Sequence, residues 1–213
     1  LALFASRPSA HIVRLHSGDP SLYGAIQEQI DWCHANHRDF ELVPGVSSLG
    51  AAAAAIGREL TIPQVSQSVV LTRLAGRTAA SMPTTESVSE FARHGATMAV
   101  FLSAARPAEL QASLLADGEG YAPATPAAVV IRASWPEERI VRTTVGDLAV
   151  ALEASGATMT ALVIVGPVVG ATDDDPVARS HLYSPTFTHA YRKRSLPGTT
   201  LGRPSVRAER VEP

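Results

Sequence analysis

The sequence predicts an α/β protein with an N-terminal parallel-sheet domain and a C-terminal mixed-sheet domain. Three observations carry that prediction. Short β-rich runs alternate with longer helical patterns from residue 11 to residue 165. Two successive strand-loop-helix units open the series, which is the grammar of a parallel, doubly wound sheet. From residue 68 onward a second block combines strands that are joined by helices with strands that are not.

The first strand is expected at residues 11–16, followed by the turn Ser17-Gly18-Asp19-Pro20 and an amphipathic helix over 21–35 with Leu22, Ile26, Ile30 and Cys33 at helical spacing. The second unit repeats this with a strand at 40–43, a turn at 44–48 and a small-residue helix over 51–56 that stops at Gly57, a residue suited to the left-handed helix end. Residues 60–67, carrying Pro63, read as a connector. The second block predicts strands at 68–72, 97–102, 127–131, 139–143 and 160–165, with helices at 107–115 and 145–153. The expected organisation is therefore an N-terminal domain over 1–66, a second domain over 67–170, and a tail over 171–213. The last stretch of that tail, about fifteen residues, has the weak periodicity of a disordered end.

Composition narrows the function classes. With 46% hydrophobic and 18% charged residues the chain has enough apolar material for a real core. Its net charge of −2 argues against holding nucleic acid or anionic membrane by bulk charge. Cys33 is the only cysteine, so neither an intrachain disulfide nor a cysteine-based zinc site is available, and a reducing, cytoplasmic setting is expected. No apolar run approaches the ~18 to 20 residues of a spanning helix.

Two loops stand where open α/β sheets bind ligands, at the carboxyl ends of predicted strands. In the first, Gly18 lets a ligand lie against the backbone, Asp19 caps the helix or accepts from a ligand donor, and Pro20 is preorganised for a first helical turn. Helix capping alone also accounts for this tetrad. In the second, Ser47 and Ser48 either cap the alanine-rich helix or contact a bound group. Neither loop is a phosphate cradle: G-x-x-x-x-G-K-[ST] and G-x-G-x-x-G are both missing, as are H-E-x-x-H and G-x-S-x-G. His16 adjoins the first loop and is the functional candidate among the histidines, against the alternative of a structural role.

Taken in order, Arg14-Leu-His-Ser-Gly-Asp-Pro-Ser-Leu-Tyr-Gly24, Val43-Pro-Gly-Val-Ser-Ser48, Leu60-Thr-Ile-Pro-Gln-Val-Ser-Gln67, Leu71-Thr-Arg73 and Ser180-His-Leu-Tyr183 with Arg192 resemble the tetrapyrrole methyltransferase family, in its corrin-pathway branch that acts on C-11 of precorrin-4. The resemblance runs over residues 11–195 and implies two α/β domains, S-adenosylmethionine folded in the cleft between them, a tetrapyrrole above it, and a homodimer. It carries no resident metal. Position by position it implies that Ser17, Gly18 and Asp19 form one cofactor loop and Ser47 and Ser48 another. It places Leu102, Ala128, Thr160 and Ala161 against the methionine and adenine parts. Ordinary strand packing is the competing reading for these four.

Precorrins carry many carboxylates, so His16, Tyr23, Arg58 and Arg73 are the candidate substrate donors, with a solvated surface role as the alternative for each arginine. Because Gly24 is followed by Ala25 rather than by the Gly-Arg pair of related uroporphyrinogen enzymes, an arginine-assisted deprotonation there does not transfer, and no catalytic base is assigned. The family also begins with a strand and a Gly-x-Gly-Pro-Gly-Asp loop that has no counterpart here, a piece of ~30 residues or more. The expectation is an unpaired edge and a bare apolar face beside Ile12, Val13 and Leu15, with weakened methyl-donor binding. Two further readings stay open: a family member acting on another acceptor, and a catalytically silent assembly partner.

Overall fold

The computed structural model describes residues 1–7, 9–76, 80 and 82–170. The predicted tail, including Ser180, Tyr183 and Arg192, lies outside them. Among the described residues the architecture is a five-stranded mixed sheet covered on both faces by helices. The strands are β1 (Val69–Arg73), β2 (Thr97–Phe101), β3 (Pro126–Ile131), β4 (Arg139–Thr144) and β5 (Ala161–Val165), in the order β1-β2-β5-β3-β4. β1 and β2 are parallel, and every other neighbouring pair is antiparallel.

β2, β3 and β5 read as unbroken apolar runs because both of their faces are covered. Side chains alternate across the sheet. Val129 and Val163 point to the face where α5 (Pro107–Leu115) and α6 (Leu148–Ser155) supply Leu110, Leu114, Leu148 and Leu152. Ala128 and Ile164 point to the other face, under Ala52 and Ile56 of α3 (Ser48–Ile56) and Val168 and Val169 of α7 (Pro167–Gly170). A short helix, α4 (Val88–Ala92), crosses between the parallel pair and was not foreseen from the sequence; Ser87 caps it by accepting from the Glu90 N–H.

The second block agrees with its predicted elements to within a few residues. The first sixty residues differ. Residues 11–16 and 40–43 form no strand, because an extended run becomes one only beside a hydrogen-bonding partner, and among the described residues none lies alongside them. Their apolar side chains are consequently bare, with Leu15 89% and Val43 68% exposed. The expected parallel pairing of these two runs is thus corrected: the described parallel pair is β1 with β2. The helix predicted over 21–35 begins late, as α2 (Gln27–Ala35), because Tyr23 (φ 57°) and Ala25 (φ 49°) take left-handed backbone that no helix accommodates. The opening segment forms α1 (Ala2–Ser6), and the Arg38 guanidinium holds it by donating to the carbonyls of Phe4, Arg7 and Ala10.

Three hydrogen bonds mark the amino end of β2. Thr97, at the amino end of β2, donates its hydroxyl to the Leu60 carbonyl and its N–H to Ser66 Oγ. At the same end the buried Tyr121 hydroxyl donates to the Ala96 carbonyl, and burial pushes its phenol well above the ordinary range. This amino-end edge is therefore closed by the connector over residues 58–67 and by Tyr121.

Candidate active site

The opposite edge collects the candidate residues. Arg73 pairs with Phe101 at the carboxyl ends of β1 and β2, and Ile131 at the end of β3 pairs with Ala161 at the start of β5. Leu102, just beyond β2, is 70% exposed and left-handed (φ 53°), and Thr160, just before β5, is left-handed as well (φ 53°). A non-glycine residue in that region costs of order 1 kcal/mol or more, and such residues concentrate at functional sites. Here the strain turns a leucine outward where a buried one would be ordinary.

α3 brings the second loop to the same edge. Its carboxyl end is held by Arg142, whose Nη2 donates to the Ile56 carbonyl at 2.8 Å, and the chain then passes Gly57 to reach Leu60 beside Thr97. α3 therefore runs against β2, and its start at Ser47 and Ser48 lies about 12 Å farther toward the carboxyl-end edge. Ser47 is the helix cap, accepting from the Leu49 N–H at 3.2 Å, while Ser48 is exposed.

The two predicted loops meet. Asp19 Oδ2 accepts from the Gly45 N–H at 2.9 Å; Asp19 Oδ1 accepts from the Ser21 N–H at 2.8 Å and from the Ser21 hydroxyl. Gly18, with φ 72°, lies against Val46 and Ser48. A β-carbon on Gly45 would stand 2.1 Å from the Gly18 carbonyl oxygen, so the chains approach more closely than any side chain permits. The Ser21 hydroxyl, then the Gly45 and Ser21 N–H groups, hold the Asp19 carboxyl below its usual 3.8. A depressed folded-state value means the clasp is present above the usual value and lost as pH falls through the lower one. A fluorophore on the 44–48 loop is therefore expected to report no change from pH 7 down to about 4, with opening only below that; release centred near pH 6 would contradict the assignment.

Tyr23 joins this edge from the first loop. Its ring packs on Phe101 with centroids 5.1 Å apart at 49°. Burial raises its phenol pKa, with Arg73 opposing and Glu86 reinforcing the rise. Tyr23, Arg73 and Glu86 line a cavity of about 380 Å³ with Leu71, Met82 and Phe91. His16 sits half-buried at the entry to the loop.

Two predicted residues are not brought here. Arg58 follows α3 at its far end, toward Leu60 and Thr97, and its buried Nε has no hydrogen-bond partner among the described residues. Ala128 lies in the middle of β3, fully buried beneath α3, and presents no surface to a ligand. Conversely, Phe101 and Arg132 escaped the sequence reading. Arg132 (φ 52°) donates its N–H to the Thr160 carbonyl at 2.8 Å, and its guanidinium lies 5.8 Å from the half-exposed Trp135 ring. The signal for Phe101 was its place one residue before Leu102. Among the described residues no group of three or more histidine, cysteine or acidic side chains is arranged to hold a metal ion.

At this carboxyl-end edge stand the exposed Leu102 and the exposed hydroxyl residues Ser48 and Thr160. A profile of the family described as Tetrapyrrole (Corrin/Porphyrin) Methylases matches residues 3–149. The chain is 47% identical over 182 residues to a cobalt-precorrin-4 C(11)-methyltransferase of Methanocaldococcus jannaschii, covering 85% of this chain and 68% of that protein. It is 44% identical over 188 residues to a precorrin-4 C(11)-methyltransferase of Pseudomonas aeruginosa, covering 88% and 72%. Among solved structures, a cobalt precorrin-4 methyltransferase superposes with a TM-score of 0.73 at 41% identity, covering 79% of this chain and 69% of that one. A Thermus thermophilus uroporphyrin-III C-methyltransferase complexed with S-adenosyl homocysteine gives 0.63 at 29% identity, covering 79% and 71%.

Proposed function

This chain belongs to the tetrapyrrole (corrin/porphyrin) methylase family, and from that premise we propose that it transfers the methyl group of S-adenosylmethionine to C-11 of precorrin-4, or of its cobalt form, in cobalamin biosynthesis. The observation that carries the reading is the hydrogen bond from Gly45 to Asp19, 26 residues apart, which joins the two loops at the carboxyl-end edge of the sheet. Relatives that share 42 to 47% identity and are named for C-11 methylation support the choice of substrate.

The loop of Ser17, Gly18 and Asp19, the hydroxyls of Ser47 and Ser48, the exposed Leu102 and Thr160 and the half-buried Ala161 make the seat of the methyl donor. Bound there, S-adenosylmethionine supplies an already activated methyl group. The protein's part is to align the accepting carbon and keep water out, so positioning dominates over acid-base work. Tyr23, Arg73 and His16 face the tetrapyrrole; a guanidinium at a half-buried strand end suits one of the substrate's carboxylates. Ala128 and Arg58 are left out on the placement described above. The reading takes the protein as a cytoplasmic homodimer with its division into lobes near residues 63–68. No helix among the described residues is long and apolar enough to cross a membrane.

The test is incubation of the chain with methyl-labelled S-adenosylmethionine and precorrin-4. Label at C-11 is the expected result. Label only on another tetrapyrrole would favour the second reading, for which the 31% identity to a uroporphyrinogen-III C-methyltransferase of Pseudomonas aeruginosa speaks. Binding without transfer to any acceptor would leave an assembly role and end the enzymatic one.

A further inference from the structure

Both oxygens of Asp19 are engaged by groups of the chain itself, Oδ1 by Ser21 and Oδ2 by Gly45. A carboxylate offers about four lone-pair sites, and three donors are already aimed at them. The two loops that Asp19 joins differ in what supports them. The second leads directly into α3, whose Ala52 and Ile56 are buried against the sheet and whose last turn is tied to Arg142. The first follows a run with no strand partner among the described residues and contains two left-handed residues other than glycine, Tyr23 and Ala25. Its described anchors on the sheet side are the Tyr23 ring on Phe101 and the Asp19 bond to Gly45.

We infer that Asp19 is a positioning residue, fastening the first loop to the α3-anchored second loop so that the backbone of Ser17 and Gly18 is held at the methyl-donor seat, rather than a group that touches the donor. The inference rests on the methyl-transfer reading for the identity of the ligand, but its geometry is independent of it. A site built on a loop is accurate only when a rigid element holds the loop, and a charge-assisted hydrogen bond is the strong form of such a tie. Ser21 contributes by fixing the carboxylate's orientation, since it occupies Oδ1 and leaves Oδ2 turned toward Gly45. Gly45 serves the clasp twice over, because its N–H is the donor and its missing side chain lets the Gly18 carbonyl come close.

The test uses the full chain and the variant Asp19→Asn, with S-adenosylhomocysteine as the probe. In the ligand-free protein, amide exchange at Gly45 is expected to quicken about tenfold in the variant, and calorimetric affinity for S-adenosylhomocysteine to fall about tenfold, while the thermal midpoint is unchanged. Ser21→Ala, which spares the Gly45 bond, is expected to lose no more than about threefold in affinity. An affinity loss with Gly45 exchange unaltered would overturn the inference in favour of direct contact with the ligand. Faster exchange with unaltered affinity would overturn it by showing the clasp irrelevant to binding. If the unaltered chain fails to bind S-adenosylhomocysteine while Gly45 protection still depends on Asp19, the methyl-transfer reading falls and the clasp stands.

Discussion

Replacing Gly45 by alanine is expected to weaken S-adenosylmethionine binding about 100-fold without unfolding the sheet. The added β-carbon would lie 2.1 Å from the Gly18 carbonyl oxygen and 3.0 Å from its carbonyl carbon, both backbone atoms that cannot swing aside as a side-chain tip would. Overpacking of this kind costs about 3 kcal/mol at its upper end, and each 1.4 kcal/mol is a factor of ten in affinity, roughly two decades in all. The strain falls on the contact between the loops, so the alanine form holds them apart and the donor meets half a seat. Titration calorimetry on the two forms measures this directly. Affinity within about twofold of the parent would mean that the close approach of the loops has nothing to do with the ligand.

The second large effect is one of stability and should leave binding alone. Leu110, on α5, is fully buried among Leu114, Leu148 and Met98 on the sheet face away from α3. Truncation to alanine is expected to cost about 3 kcal/mol through lost transfer energy and the cavity left behind. For a chain of this size that lowers the thermal midpoint by roughly 6–12 °C. Well below the transition, affinity for the methyl donor should stay within about twofold, since Leu110 belongs to the core on the sheet face away from α3 and the loop it carries. Leu110→Ala and Gly45→Ala thus predict opposite patterns, one moving melting and the other moving affinity. A Leu110→Ala protein that melts normally would contradict the assignment of the sheet's first face as the main core.

The parts of this fold that were legible in the sequence are those fixed by short-range chemistry. The apolar runs of β2, β3 and β5, Pro107 at the start of α5, Ser47 as the cap of α3 and Gly57 at its left-handed end (φ 66°) each declare themselves within a few residues. What was not legible depended on partners distant in the chain. Residues 11–16 and 40–43 have strand-like alternation, but alternation describes a face and not a ladder, and the ladder is missing among the described residues. The late start of α2 turned on two residues, Tyr23 and Ala25, adopting backbone that their types rarely take.

The candidate site divides in the same way. Ser17, Gly18, Asp19, Ser47 and Ser48 were readable as loop residues at strand or helix ends, and the structure brings those loops into contact. Leu102, Thr160 and Ala161 were placed by resemblance and stand at the same edge. Ala128 was placed in the same manner and proved to be interior, because small residues in a central strand serve packing under a helix as readily as contact with a ligand. Arg58 could not be sorted from Arg73 in the sequence. The direction of α3 separates them, sending one arginine to each end of the sheet. Phe101 and Arg132 gain their interest only from neighbours, Tyr23 and Thr160, that lie far off along the chain.

The most direct measurement is residue-by-residue mapping of the protein by amide chemical shifts as S-adenosylhomocysteine is added. Shifts gathered at residues 17–19, 45–48, 102 and 160–161 are the predicted result, since these lie in the two joined loops or at the carboxyl-end edge. Perturbations centred instead on Ala96, Thr97 and Tyr121 at the opposite edge would contradict the account and move the site to the other end of the sheet.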